Sequence, residues 1–192
     1  MKQEYTEAER IELIASHYRE ILNLIGENPD REGLIRTPER AAKALLYITS
    51  GYNSDPVQLA HKAIFKHEGS KIVVVKDIEF YSMCEHHILP FFGHISIGYI
   101  PDGKIIGLSK LPRIVECFAR RLQVQETLTA QICDFLTKEI PNKGVIVACT
   151  AGHLCMKMRG VEKQDSTTFT YECSGQFAES AELRKEFFDS IG

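Results

Sequence analysis

The sequence predicts an α+β domain, with an antiparallel sheet covered by helices on one face, that follows an N-terminal helical appendage. Two observations carry this prediction. Apolar residues recur at three- and four-residue spacings near the start, and runs rich in β-branched residues begin at about residue 71. Beyond the appendage the order is strand, strand, helix, helix, strand, strand, which one antiparallel sheet accommodates most simply. We therefore divide the chain into an appendage, residues 1–65, and a sheet domain, residues 66–192.

The appendage is predicted to contain two helices, over residues 6–25 and 38–49. The first ends at Gly26, where the apolar period stops. In the second, Thr37 is a good N-cap and Pro38 suits the first helical position, because proline lacks the N–H that would be unpaired there.

The sheet domain is predicted to hold four strands and three helices, from its β-branched runs and its helical apolar spacing. The strands cover residues 71–80, 94–100, 145–150 and 166–172, and the helices follow Ser109, pass through Leu128 and Leu136, and cover 178–191. Residues 123–126 are predicted to link the first two of these helices. One sheet of this kind leaves its edges exposed, so we expect copies of the chain to associate into a ring that pairs them.

Composition narrows the class of protein. The 192 residues carry a net charge of -3 and are 44% hydrophobic, which is typical of a soluble globular protein and does not predict nucleic-acid binding. No apolar run approaches the roughly 20 residues that span a bilayer, so no membrane association is predicted. The polar start lacks an apolar signal core, which predicts a cytoplasmic protein. The six cysteines are therefore not expected to form a disulfide framework.

Soft metal ligands are concentrated in two short stretches far apart in the sequence. Zinc prefers thiolate and imidazole ligands, and a catalytic site uses three of them and leaves a position open for water. We predict Cys84, His87 and Cys155 as ligands, with His86 and His153 free for proton transfer. His153 and Cys155 are two apart, so they share a face if that chain is extended. Two alternatives stay open: a structural metal, which would prefer four ligands, and ordinary core or surface residues with no metal.

Cations near a helix start predict an anion site. Lys110 and Arg113 are three apart beside a helix that begins at Ser109, and helix N-termini attract phosphate. Arg159 lies four residues after the second ligand stretch, and Arg40 lies in the appendage. Together these cations would suit a triphosphate, whereas each of them alone is better explained as part of a solvated basic face.

Glu126 is a candidate for base recognition. A carboxylate accepts two hydrogen bonds from the N1–H and exocyclic amine of guanine, which adenine does not offer. The alternative is an ordinary acidic residue in a first helical turn.

The motifs taken together resemble the GTP cyclohydrolase I family over about residues 10–190. The resemblance rests on five stretches in the family's order, which are Gly33-Leu34 with Thr37-Pro38-Glu39-Arg40, Cys84-Glu85-His86-His87 with Pro90-Phe91, Gly107-Leu108-Ser109-Lys110, Val124-Gln125-Glu126, and His153-Leu154-Cys155 through Arg159-Gly160. Two departures, Thr127 after Glu126 and Gly152 before His153, touch no predicted metal ligand.

The resemblance implies a tunnelling fold, in which four-stranded sheets join into a ring and two pentamers stack face to face as a homo-decamer. It implies that residues 66–192 form a catalytic domain with sites at subunit junctions. The implied reaction converts GTP to 7,8-dihydroneopterin triphosphate and formate, the entry to folate or tetrahydropterin synthesis, with Zn²⁺ as cofactor.

The resemblance also implies a role for each site residue. Zinc is held by Cys84, His87 and Cys155, protons are handled by His153 and His86, guanine is anchored by Glu126 with help from Gln125, and the triphosphate is held by Ser109, Lys110, Arg113 and Arg159, with Arg40 arriving from a neighbouring subunit. Two other hypotheses compete with this one. A related enzyme would act on another pterin or a deazapurine, and a non-catalytic zinc-stabilised assembly would show a fourth protein ligand.

Overall fold

The computed structural model describes residues 5–192 and contains both helices and an antiparallel sheet. Its contacts divide the chain into two compact units, one ending at Thr49 and the other spanning Ser50–Gly192. The second unit begins earlier than the predicted sheet domain. The reason is that residues 50–65 pack with it, through a helix at Pro56–His61 that contacts a later helix and a strand at Ile64–Lys66 that pairs with a later strand.

The first unit contains helices α1 (Glu7–Leu24) and α2 (Thr37–Ile48), which pack against each other. Both helices were predicted, but Thr37 is not the N-cap. Arg36 occupies that position without a side-chain capping bond, and the Thr37 hydroxyl donates instead to Gly33 O at 3.4 Å. The cap prediction was wrong because the chain already turns before Thr37, whose N–H bonds Leu34 O at 2.9 Å.

The second unit alternates strands and helices. Its helices within the described residues are a short 3-10 helix (Ser50–Asn53), α3 (Pro56–His61), α4 (Lys110–Ala119), α5 (Gln125–Glu139), α6 (Leu154–Lys157), α7 (Gln176–Glu179) and α8 (Ala181–Ile191). Its strands are β1 (Ile64–Lys66), β2 (Val73–Cys84), β3 (Leu89–Pro101), β4 (Lys104–Ile106), β5 (Leu122–Gln123), β6 (Asn142–His153) and β7 (Thr168–Cys173). None of the helices in residues 5–192 has the length and apolar character needed to cross a membrane.

The main sheet has the strand order β5-β2-β3-β6-β7, and β1 and β4 form a separate ribbon. The four long strands pair antiparallel, which confirms the predicted antiparallel sheet. The two-residue β5 adds a fifth, parallel strand beside the end of β2, so the predicted four-strand count was one short for this sheet. Residues 123–126 are not simply a linker, because Gln123 belongs to β5 and α5 already begins at Gln125.

The sheet buries both of its faces. Adjacent strand residues point to opposite faces, and Val147 and Ile146 accordingly belong to two different hydrophobic clusters. The larger cluster packs the sheet against α4 and α5, and the smaller one packs it against Phe177 of α7 and Phe187 of α8. The prediction of helices on one face was therefore wrong. Gly98 makes the second face accessible, since a Cβ there would meet the Phe187 ring at 2.7 Å.

Candidate metal centre

One edge of the main sheet gathers the predicted ligand stretches. In an antiparallel sheet, the end of one strand lies beside the start of the next. Cys84 ends β2 and pairs with Leu89 at the start of β3, while His153 ends β6 and pairs with Phe91. Two residues far apart in the sequence, Cys84 and His153, thus reach the same edge.

The metal loop, residues 84–88, is a tight turn between β2 and β3. The amides of His87 and Ile88 donate to Cys84 O at 3.3 and 2.8 Å, and the amide of Glu85 donates to Gln123 O of β5 at 3.0 Å. Ile88 closes the turn with φ of 51°, a left-handed conformation that a β-branched residue rarely adopts. These backbone bonds place Cys84 and His87 on the same side of the turn, where the Cys84 Sγ and His87 Nδ1 atoms are 3.6 Å apart.

Cys155 completes a group of three metal-ligating side chains. The ligand atoms of Cys84, His87 and Cys155 all lie within 4.8 Å of one another, so the group could hold a metal ion. Two thiols and one imidazole suit zinc, and three protein donors within the described residues leave a position of a tetrahedral ion for water. Cys155 does not lie in extended chain, as predicted, but in the helical turn α6, so its approach to the cluster does not come from alternation along a strand.

The thiol of Cys155 is held in its neutral form when no metal is bound. Burial raises its pKa, and the neighbouring Cys84 raises it further, while Arg159 opposes the shift weakly. A metal ligand must be a thiolate, so metal binding at this group releases protons.

His153 is held rigidly beside the cluster. Its ring stacks on the fully buried ring of Phe91, with centroids 4.7 Å apart and planes within 2°. Its Nε2 lies 2.8 Å from Oε1 of Gln125, the first residue of α5. Burial lowers the pKa of His153, and the carboxylate of Glu126 opposes that shift, so the neutral imidazole is favoured.

His86 has a different environment. It lies in the metal loop with its side chain 64% exposed, and its Nε2 is 3.6 Å from a Glu85 carboxylate oxygen. Its ring meets the His87 ring edge to face, with centroids 6.2 Å apart. His86 is therefore exposed to solvent, whereas the ring of His153 is stacked and hydrogen-bonded.

The family model and the curated relatives that match this chain name the same family. The family described as GTP cyclohydrolase I matches residues 14–192. The GTP cyclohydrolase 1 of Campylobacter lari is 53% identical over 173 residues, covering 90% of this chain and 91% of that protein. The chain belongs to the GTP cyclohydrolase I family. The GTP cyclohydrolase 1 of Chlorobaculum tepidum is 56% identical over 172 residues, covering 90% of this chain and 77% of that protein. The archaeosine synthase QueF-Like in its apo form has a similar structure, with a TM-score of 0.43 and 15% identity, covering 56% of this chain and 97% of that one.

Two further predicted site residues of this GTP cyclohydrolase I family member lie near the metal centre. Glu126 is exposed in the first turn of α5, not in a linker, and its charge acts on His153. Arg159 is exposed four residues beyond Cys155, and its charge acts on that thiol. Both side chains are available to a ligand at this edge of the sheet.

Three predicted phosphate contacts lie at the start of α4. This helix spans 10 residues, roughly 15 Å at about 1.5 Å per residue, and its last turn leads into β5, which pairs with Cys84. Ser109 occupies the N-cap position of α4 as predicted, although its side chain makes no capping bond, and Lys110 and Arg113 occupy the first turn. The contact of these three residues with triphosphate stays a prediction.

Arg40 lies exposed in α2 of the first unit, so its predicted contact with triphosphate stays a prediction.

Sequence reasoning missed how His153 is supported. Phe91 and Gln125 lie in motifs quoted above, but their contacts with His153 were not predicted, and the groups that hold the Gln125 amide, Cys149 O and Thr170 Oγ1, belong to no motif because they come from β6 and β7. The usable signal was alternation, since Phe91 and Ile95 lie on one face of β3 and mark the side of the sheet that meets α5.

Proposed function

We propose that the protein is a zinc-dependent GTP cyclohydrolase I. It opens the imidazole ring of guanine at C8 by hydrolysis, releases formate and closes a new ring to give 7,8-dihydroneopterin triphosphate, the first step of folate or tetrahydropterin synthesis. One observation carries the proposal beyond family membership: a Cys84–His87–Cys155 cluster with three donors lies at the same sheet edge as the fixed imidazole of His153.

Cys84, His87 and Cys155 would hold the zinc ion. A zinc ion there supplies Lewis acidity that activates water for attack at C8. The two thiols and the imidazole are soft ligands that would suit the ion. The backbone hydrogen bonds of the metal loop fix the spacing between Cys84 and His87.

His153 and His86 divide the proton transfers. His153 is rigid and mostly neutral, which suits it to exchange a proton with the purine nitrogen as the ring opens. His86 is exposed, which suits it to exchange protons between the site and water.

Glu126 anchors guanine through its N1–H and exocyclic amine. Its place in the first turn of α5, directly after Gln125, sets the carboxylate close enough to His153 for its charge to act on that ring. The base is thereby presented to the same edge of the sheet as the metal centre.

The triphosphate is held by cations from more than one copy of the chain. Arg159 belongs to the copy that supplies the metal ligands. The remaining contacts come from other copies and are Ser109, Lys110, Arg113 and Arg40. The assembly we propose is a tunnelling-fold homo-decamer of two face-to-face pentamers, which acts in the cytoplasm. It is supported by the length of α4, which sets its start roughly 15 Å from the end that leads to β5 and the metal loop, and by the open edge of β7.

The test is to incubate the zinc-loaded protein with GTP and measure formate, together with a fluorescent pterin after oxidation. We expect both products in equal amounts. GTP left intact by a zinc-loaded, assembled protein would refute the proposal, and turnover of another pterin or a deazapurine in place of GTP would support a related enzyme instead.

A further inference from the structure

Gln125 is enclosed by the protein. Its side chain is 1% exposed, and its Nε2 lies 3.1 Å from each of three acceptors, which are Cys149 O, Thr168 O and Thr170 Oγ1. An amide oxygen in that position would face two carbonyl oxygens, so the three acceptors identify the atom as nitrogen. The other amide atom, Oε1, therefore faces His153.

The donor and acceptor roles of the hydroxyl groups around Gln125 can be assigned in only one way. Thr129, which is fully buried, donates to Gln125 O at 2.8 Å and so has no second hydrogen to give. Its Oγ1 is 2.7 Å from Thr170 Oγ1, so Thr170 donates to it. Thr170 can then only accept from Gln125, which keeps the amide in the orientation described above.

The same assignment of donors and acceptors determines which ring nitrogen of His153 carries a hydrogen. Oε1 of Gln125 is an acceptor and lies 2.8 Å from Nε2 of His153, so Nε2 must carry the hydrogen. In a neutral imidazole the other nitrogen, Nδ1, is then the bare acceptor. We propose that Gln125 is a positioning residue, locked by Thr129 and Thr170, that fixes His153 in the Nε2–H tautomer rather than contacting guanine.

The inference rests on the proposed function, in which His153 exchanges a proton with substrate. A group that holds a catalytic histidine in one tautomer contributes to turnover and not to substrate affinity, and loss of the correct tautomer lowers turnover by up to about 10⁴-fold in a serine protease. A direct contact with guanine would instead raise the dissociation constant of GTP.

The first experiment replaces Gln125 by methionine, which has a similar length but accepts no hydrogen bond from imidazole. For Gln125→Met we expect zinc content to stay at the wild-type level, KM to change less than about threefold, and kcat to fall by roughly 10² to 10³-fold. A rise in KM with unchanged kcat would overturn the inference.

The second experiment measures GTP binding without turnover. In the slow His153→Ala background, the dissociation constant of GTP is compared with and without Gln125→Met. A residue that acts only through His153 changes nothing once His153 is absent, so we expect equal constants within about twofold. A clearly weaker constant in the double variant would assign Gln125 to the guanine site and refute the inference.

A third readout observes the tautomer itself. In protein labelled with ¹⁵N-histidine, the two ring nitrogens of neutral His153 have distinct shifts, and the His153→Ala spectrum identifies them. We expect the protonated nitrogen to be Nε2 in the wild type and a mixture of tautomers in Gln125→Met. Protonation at Nδ1 in the wild type would contradict the hydrogen-bond direction.

A matched pair at Thr170 keeps the inference testable if Gln125→Met fails to fold. Thr170→Val keeps the packing and removes the hydroxyl, whereas Thr170→Ser keeps the hydroxyl and removes a methyl group. We expect kcat to fall about tenfold in the valine variant and to stay within about twofold of wild type in the serine variant. The reverse order would mean that Thr170 matters only for packing.

Inactive wild-type protein would refute the proposed function instead, whereas active wild type with an unaffected Gln125→Met refutes this inference alone.

Discussion

The two ends of α4 differ in their surroundings, because its last turn leads to the candidate metal centre whereas its first turn carries predicted phosphate contacts. At the metal end, β2, β3, β5 and β6 bring Cys84, His87, Cys155 and His153 together through backbone turns and register. At the opposite end of α4, Lys110 and Arg113 occupy the first turn. One chain therefore brings together a group that could hold a metal ion, while the predicted phosphate contacts at the start of α4 lie about one helix length from the end that leads to it.

The length of α4 enforces this separation. The helix spans 10 residues, roughly 15 Å at about 1.5 Å per residue, and its far end leads into β5, which pairs with Cys84. The same helix that supports the metal loop at one end thus holds Lys110 away from it at the other. A second copy of the chain can place its own Lys110 beside the metal loop of the first copy.

The largest effect is expected from removing a ligand at the metal end. For Cys155→Ser, we expect zinc to be lost on desalting and turnover to fall by about 10³-fold or more, because a serine hydroxyl is a far poorer zinc ligand than a thiolate. Zinc content and product formation measure this. The control is Cys173→Ser, a half-buried cysteine outside the cluster, which should leave both at wild-type levels. Normal activity in Cys155→Ser would show that the ligand assignment is wrong.

The second prediction distinguishes metal binding from proton transfer at the metal end. His153 is not among the three clustered ligands, so His153→Ala should retain zinc while kcat falls by roughly 10² to 10⁴-fold, the scale of general acid–base catalysis. The control is His94→Ala, an exposed histidine on β3, for which we expect wild-type kcat. Loss of zinc in His153→Ala would move His153 from proton transfer to metal binding.

The sequence predicted the candidate metal ligands better than it predicted the contacts that hold His153. Cys84 and His87 are three residues apart in one turn, so their spacing alone indicated a shared ion. Cys155 was predicted correctly as a candidate for the wrong local reason, because whether the chain after His153 extends or coils is decided by the following turn, where Met158 N bonds Leu154 O. The Gln125–His153 contact depends on how α5 docks on β6 and β7, which no local pattern encodes.

The same distinction explains the errors in the fold. The antiparallel order of strands was predictable because β-branched runs and turn residues are local signals. The placement of α8 on the second face depends on Phe187 entering the space above Gly98, a contact between residues 89 positions apart in the sequence.

The comparison of the two ends can be tested by mixing defective copies. A Lys110→Ala/Arg113→Ala chain lacks the anion half, and a Cys155→Ser chain lacks the metal half. If each site takes one half from each of two copies, random co-assembly of equal amounts should restore about a quarter of wild-type turnover, because half of the sites receive each intact half independently. Formate release from co-refolded mixtures measures this, and separately refolded, unmixed variants are the control. Mixtures with no gain over the unmixed variants would place both halves in one chain.

The smallest expected effect concerns the strained turn of the metal loop. Ile88 adopts φ of 51° with its side chain 54% exposed, so asparagine, which tolerates left-handed backbone, should relieve strain at little cost in burial. We expect Ile88→Asn to raise the free energy of unfolding by about 1 kcal/mol in urea titrations of the zinc-free protein. Ile88→Val keeps the β-branch and is the matched control, with a change of less than about 0.5 kcal/mol. A destabilised Ile88→Asn would mean that the exposed isoleucine is buried against another copy, which would make the metal end part of a subunit junction.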